Sequence, residues 1–325
     1  MKMLRLIVLL FGLTSFLTPH ALAETLRIGS WNIQDFHHQR DFSLRDFGDF
    51  KSVKRQPGDF VALTKYRDLF GRDGSPADVL ALQEIGTKAA LEKLFPAKTY
   101  LTIMSPRWQT DDAAEGEGDV YTALAIRKDS GVTLIKEDHL PLLAVLHTDG
   151  RPTRAGTGAL LEFQGQQFWF LSVHLKSSCP KNINLHTSSQ DDCETHWQQM
   201  PILADWIASK RQTGIPFIIA GDFNRRYRQM NFEDSGWEVL NGVQPDDPIL
   251  EPRLMAHPTT ATRKCPTRKG KGTQPIDWIM LDPKLNDAFI SGSYWERRFT
   301  RDDVMQTQYG KGLSDHCPIS IDLEF

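Results

Sequence analysis

The alternation of apolar runs with amphipathic stretches predicts a single α/β domain over residues 24–325 of this 325-residue chain. Two observations carry that prediction. Strand-like and helix-like segments alternate from one end of the chain to the other, and neither an internal repeat nor a Pro- or Ser-rich linker divides it. A further regularity concerns chemistry. Several of the expected strands stop at a polar residue, which gathers candidate groups at strand tips.

Composition sets the first limits. With 40% hydrophobic and 10% aromatic residues the chain can fill a packed core, so disorder is not the default. Residues 1–23 begin with Lys2 and Arg5, continue through an apolar stretch over 4–17 and end Ala21-Leu22-Ala23 before Glu24. That layout predicts a secretory signal cleaved after Ala23, hence a secreted or periplasmic protein. The apolar stretch is shorter than the roughly 20 residues of a membrane span, so no stable membrane anchor is expected. Cleavage removes two basic residues and takes the formal charge from -3 to -5, 36 basic against 41 acidic residues. No whole-molecule field draws in polyanions, so phosphate recognition must come from local basic patches and a bound cation. Cys179, Cys193, Cys265 and Cys317 are an even set in an exported chain and predict disulfides. Of the three possible pairings, the local Cys179–Cys193 loop comes first, which leaves Cys265 with Cys317.

The elements follow in order. Leu26-Arg27-Ile28-Gly29-Ser30-Trp31-Asn32-Ile33 alternates with period two and reads as a strand with Asn32 at its end. Residues 36–58, with His37 and His38, read as a long loop. Apolar positions 60, 63, 66, 69 and 70 have helical spacing, with Gly71 and Gly74 as the stop. Residues 78–84 read as a buried strand ending in Glu84, 88–95 as a short helix, 100–104 as a strand and 111–119 as a loop. Residues 121–127 form another strand, bounded by Tyr121 and Arg127. A hairpin about Gly165 joins 160–163 to 167–175, and its second arm leads into His174-Leu175-Lys176. Residues 177–195 read as a loop and 197–207 as an amphipathic helix.

Pro216-Phe217-Ile218-Ile219-Ala220-Gly221-Asp222-Phe223-Asn224 is a buried strand that stops abruptly at a glycine and an acid. Extension through Phe223 would put Asp222 and Asn224 on one face and Phe223 on the other. Arg225, Arg226 and Arg228 follow, and residues 259–274 carry Arg263, Lys264, Arg268, Lys269 and Lys271 without an acid. Residues 275–281, with Asp277, and 313–321, with Ser314-Asp315-His316, are the last strands.

Asn32, Glu84, His174, Asp222, Asn224, Asp277 and His316 thus stand at or near strand ends from all parts of the chain. They converge only if those ends meet at one edge. Hard oxygen donors such as Glu84, assisted by Asn32 or Asp222, suit Mg²⁺, Mn²⁺ or Ca²⁺ better than zinc. Two histidines complement them, because phosphodiester cleavage takes a proton from water and delivers one, or neutralises charge, at the leaving oxygen. Asp277 can orient His316. Taken singly each feature is ordinary: a Gly-Asp-Phe-Asn segment can simply close a strand, and a lone histidine there is commonly structural. A Ser314-Asp315-His316 triad is a poor rival, since triads assemble across a fold and no Gly-x-Ser-x-Gly turn is present.

Taken together, Trp31-Asn32-Ile33, Leu82-Gln83-Glu84, Val173-His174-Leu175, Gly221-Asp222-Phe223-Asn224, Ile276-Asp277-Trp278 and Ser314-Asp315-His316-Cys317-Pro318 resemble, in order, the motifs of the endonuclease/exonuclease/phosphatase superfamily. Pancreatic-type deoxyribonucleases, abasic-site endonucleases, sphingomyelinases and inositol polyphosphate phosphatases belong to it, and the resemblance spans residues 26–325. It implies a four-layer sandwich, two mixed β-sheets face to face with helices outside. By the same resemblance Asn32, Glu84 and Asp315 match positions at or near the metal, and Asp222 matches the carboxylate that orients the attacking water. Asn224 matches a phosphate-contacting amide, His174 a phosphate-stabilising group, His316 with Asp277 an acid or base, and Tyr121 a phosphate-contacting tyrosine of some members. Gln34 stands where the abasic-site enzymes carry an acid, which puts a second metal and repair specificity in doubt. Residues 174–193 and the arginines after Asn224 look most like a bacterial secreted branch, while Thr259-Thr260-Ala261-Thr262 is similar to the pancreatic-type nucleases.

The expectation is therefore an exported, monomeric, divalent-metal-dependent phosphodiesterase acting on DNA or RNA, with Arg127, Lys176, Arg225 and Arg226 as phosphate contacts. A phospholipid or small-phosphoester hydrolase is the rival within enzymes. A catalytically idle binding module on the same scaffold is the rival outside them.

Overall fold

The computed structural model describes residues 24–44, 46–47, 50–51, 53–110, 119–180, 183–227, 232–242, 255–256, 276–306 and 313–325. Residues 1–23, where a signal is expected, residues 111–118, Arg228, the basic segment over 259–274 and Cys265 lie outside the described residues.

The strands are β1 (Thr25–Phe36), β2 (Asp46–Phe47), β3 (Phe50–Lys51), β4 (Val79–Ile85), β5 (Tyr100–Met104), β6 (Tyr121–Arg127), β7 (Thr133–Glu137), β8 (Thr157–Phe163), β9 (Gln166–His174), β10 (Phe217–Asp222), β11 (Met255–Ala256), β12 (Asp277–Leu281), β13 (Trp295–Glu296) and β14 (Ile319–Glu324). The helices are α1 (Pro57–Arg67), α2 (Lys88–Leu94), α3 (Arg107–Thr110), α4 (Asp191–Gln212), α5 (Ser235–Leu240) and α6 (Arg301–Gln306). One sheet has the order β13-β14-β1-β4-β6-β5, the other β11-β12-β10-β9-β8-β7, and β2-β3 is a separate ribbon. β1 runs parallel to β4 and β9 parallel to β10, while the other pairs are antiparallel, so both sheets are mixed.

Period-two alternation explains the layers. Ile28, Val79, Leu124 and Ile321 of the first sheet meet Leu161, Phe170, Ile218 and Ile279 of the second in the central core. Their outward-facing neighbours are buried too. Ile33, Leu80 and Leu82 pack under Leu63, Tyr66 and Leu91 of α1 and α2, and Leu171, Val173 and Ile219 pack under Met200, Leu203 and Leu240 of α4 and α5. Strands covered on both faces read as continuous apolar runs, which is the pattern of 217–220. The result is the expected four-layer sandwich.

Several local expectations are corrected. α4 starts at Asp191 rather than 197, because Asp191, Asp192 and Glu194 complement the positive end of a helix, so part of the expected 177–195 loop is helical. α1 starts at Pro57 and ends at Arg67: proline suits the first helical position, and Gln56 and Asp59 form a capping box there. Phe70 packs in the core beyond the helix end. β7 is an edge strand, mostly exposed, and so lacks an apolar signature. Cys179 is bonded to Cys193 as expected. Cys317 is also disulfide-bonded, but its expected partner Cys265 lies outside the described residues. Among the described residues no helix is long and apolar enough to cross a membrane.

Candidate active site

Sheet register brings the strand tips together. In the second sheet Asp222 on β10 pairs with His174 on β9 and with Asp277 on β12, so three candidate groups stand on one rung across adjacent strands. In the first sheet Asn32 on β1 pairs with Gln83 on β4, next to Glu84. β14 is antiparallel to β1, with Ile319 opposite Ser30, so the chain before it carries Asp315 and His316 to the same edge.

Asp222 is the hub where the two sheets meet. Its Oδ2 accepts a hydrogen bond from Asn32 Nδ2 at 3.2 Å and lies 3.6 Å from His174 Nε2 and 3.8 Å from His316 Nε2. Asn32 Nδ2 also donates to Glu84 Oε1 at 3.1 Å, and that oxygen is 3.9 Å from His174 Nε2. His316 Nδ1 lies 2.8 Å from Asp277 Oδ2, and its Nε2 lies 3.8 Å from Asp315 Oδ1. Burial works against a charged His316, yet the carboxylates of Asp277, Asp315 and Asp222 outweigh it and raise its pKa to about 10. In the metal-free site these carboxylates favour the charged ring.

The backbone is bent to make this possible. Gln34 (φ 50°), Asp35 (φ 46°), Glu84 (φ 60°) and Asn224 (φ 52°) all occupy the left-handed region, at a cost on the order of 1–3 kcal/mol each. Side chains hold them there: Glu84 Oε2 accepts the Asp35 N–H, Asn32 Oδ1 the Gln34 N–H and Asp222 Oδ1 the Asn224 N–H. Two buried tryptophans add supports, Trp31 Nε1 donating to the His316 carbonyl and Trp278 Nε1 to that of Arg225.

The donors fit a hard divalent cation. Glu84, Asp222, Asp277 and Asp315 place four carboxylates in one cluster with oxygen and imidazole donors. Ligand atoms of Asp222, Asp277 and His316 lie within 4.8 Å of one another, but the Asp277–His316 hydrogen bond already occupies Nδ1. Glu84 and Asp222, tied together by the Asn32 amide, are therefore the better cation donors, and Asp277–His316 the better proton-handling pair.

Other expected contacts are placed differently. Extension does not continue past Asp222: Asn224 enters an Asx-type turn and gives Nδ2 to the Leu175 carbonyl, while Phe223 is buried against α4 and α5 as foreseen. Arg225 is fully buried, paired with Asp234 and donating to the carbonyls of Pro180 and Ile183, so it braces the disulfide loop and does not face substrate. Arg127 lies at the far end of β6, paired with Asp78 at 2.6 Å and Asp129 at 2.8 Å, about 20 Å along the strand from the site end. Lys176 stands two residues beyond His174 but is tethered to Asp192 on α4. Arg226 is half-buried with no ion pair among the described residues, and desolvation lowers its pKa. Tyr121 is buried opposite Ile85 at the site end, edge-on to Trp108. Sequence reasoning missed Arg154, whose Nη2 donates to the Leu175 carbonyl that Asn224 also uses, and Arg55 behind Asn32. No motif flanks either one.

A mixed double-sheet sandwich with this acid and histidine cluster at one edge defines a class of phosphoric ester hydrolases, and sequence comparison agrees. The model of the Endonuclease/Exonuclease/phosphatase family matches residues 29–316, and the chain belongs to that family. Members are metal-dependent phosphoric ester hydrolases. No curated protein matches the chain in sequence. Among solved structures it is similar to an endonuclease/exonuclease/phosphatase family protein from Bacteroides thetaiotaomicron (15% identity, 94% of this chain and 96% of that one, TM-score 0.58). It is also similar to D. rerio TDP2 complexed with single-strand DNA product (16%, 92% and 98%, TM-score 0.54) and to a mannosyl-6-phosphatase from B. thetaiotaomicron (15%, 92% and 100%, TM-score 0.56).

Proposed function

We propose that the protein is an exported phosphodiesterase that hydrolyses nucleic acid by in-line attack of water, with no covalent enzyme intermediate. The observation that carries the reading is the Asp222 carboxylate, held within 4 Å of Asn32 and both histidines. Asp222 orients the attacking water and takes its proton. His316, held by Asp277 and favoured in its charged form by that carboxylate, delivers a proton to the leaving oxygen. His174 neutralises charge on the phosphoryl oxygens. Glu84 and Asp222, bridged by the Asn32 amide and with Asp315 nearby, would hold a divalent cation, which would supply Lewis acidity toward a phosphoryl oxygen. Mg²⁺ and Mn²⁺ suit these donors, and Ca²⁺ is the third choice.

Arg226 supports a polyanionic substrate, as a half-buried cation close after Asn224, and so does the basic segment over 259–274. The TDP2 structure bound to a DNA product is a further support. One observation favours a lipid phosphodiester instead. The β7–β8 connection leaves the sheet at the His174 end and exposes Leu142 and Leu146.

The test is incubation of purified protein with plasmid DNA, RNA, sphingomyelin and mannose 6-phosphate, with Mg²⁺ or a chelator. Cleavage of DNA or RNA that stops on chelation and falls steeply with added salt supports the reading. Preference for sphingomyelin or the sugar phosphate, or activity that survives chelation, contradicts it.

A further inference from the structure

Between Asn32 and Phe36 the register of β1 against β4 shifts, and the chain turns through two left-handed residues. The N–H groups of this corner face the site, where Gln34 N–H holds Asn32 and Asp35 N–H holds Glu84. Its carbonyls face the other way and have left the strand ladder. One side chain collects them: Arg55, 2% exposed, donates to the carbonyls of Ile33, Gln34 (2.8 Å) and Asp35 (3.1 Å). The same guanidinium donates to Leu313 O at 2.8 Å, at the start of the segment that carries Asp315 and His316. That segment is pinned to the corner from the front as well, by Ser314 Oγ to Asn32 O (2.7 Å) and Asp315 N–H to Gln34 Oε1 (3.1 Å).

We propose that Arg55 is the positioning residue of the cation-binding half of the site, clamping the 33–35 corner to residue 313 so that Asn32 and Glu84 are held at a common point. It touches neither cation nor substrate and acts through the backbone. Only a planar fork carries enough donors at fixed angles to reach carbonyls of two segments at once, so lysine cannot replace it fully. The inference rests on the reading that Glu84, positioned by Asn32, holds a divalent ion.

The experiment measures Mn²⁺ binding to the full chain by calorimetry, with circular dichroism as a check of folding, for wild type, Arg55→Lys, Arg55→Met and Glu84→Gln. The expected result is folded Arg55 variants whose Mn²⁺ affinity falls by on the order of 10- to 100-fold, less for lysine than for methionine, as for residues that orient metal ligands. Arg127→Met, the loss of a paired guanidinium at the far end of β6, should leave Mn²⁺ affinity within about 2-fold. Wild-type affinity in a folded Arg55 variant, or failure of both Arg55 variants to fold, assigns Arg55 to the scaffold and overturns the proposal. Unchanged affinity in Glu84→Gln instead overturns the cation reading itself.

Discussion

His316 shows how single residues carry the chemistry. Its pKa is the outcome of a contest in which burial alone would favour the neutral ring and three carboxylates reverse the sign. A folded-state pKa raised above the ordinary 6.5 contributes stability that is complete below that value and is lost as pH rises through about 10. The melting temperature of the metal-free protein should therefore fall between about pH 7 and pH 10, and His316→Gln should flatten that slope; an unchanged slope in the variant would remove His316 as its source. Two buried histidines act in the opposite direction. Burial, helped by nearby cations, lowers His196 to about 3, and burial with His38 and Lys93 nearby lowers His37 to about 4. Both must take up protons on unfolding, so the stability they contribute is present above about 6.5 and is lost as pH falls toward those values. Urea midpoints should decline over that acid range, and His196→Gln should shrink the decline.

At the scale of elements, the site depends on how close strands can approach and what ties their ends. Gly221, one residue before Asp222, has φ +151°, and a Cβ there would lie 2.0 Å from the Val173 carbonyl oxygen of β9. A backbone obstacle cannot swing away, so Gly221→Ala should destabilise the fold by on the order of 3 kcal/mol by urea unfolding. A loss under about 1 kcal/mol would show that β9 and β10 can separate at that rung. The Cys179–Cys193 bridge spans 14 residues of chain and links the exit of β9 to α4. Arg225, through Pro180 and Ile183, joins that loop to the turn after Asp222. Replacing both cysteines with serine should cost about 3 kcal/mol.

For the whole molecule, the parts legible in sequence are those whose determinants are local. Asn32, Glu84, Asp222 and Asp277 each lie beside a strand-forming apolar run, and a buried strand must expose its polar tip at an edge of the sandwich. Polar contacts that apolar patterning does not encode were not legible, whether the partner is near in sequence or far. Arg225 sits in a run that reads as a solvated basic cluster, but Asp234 and the carbonyls of Pro180 and Ile183 receive it in the interior. Arg127 is claimed by Asp78, 49 residues earlier, at the wrong end of its strand. Asn224 follows a strand that reads as continuing, but its N–H is captured by the Asp222 carboxylate and the chain turns. Arg55 lies in a segment without periodicity, and its role depends on carbonyls freed by a bulge that local pattern does not reveal.

The central claim is that two sheets, each supplying half of the groups, act on one phosphorus atom. Hydrolysis rates of the preferred phosphodiester for Glu84→Gln, Asp222→Asn and the double variant test it most directly, because Glu84 belongs to one sheet and Asp222 to the other. Groups that act as a unit give strongly non-additive losses, so each single change should cost on the order of 10²-fold or more and the double variant little beyond the worse single one. Losses that multiply, as for independent sites, would contradict the account.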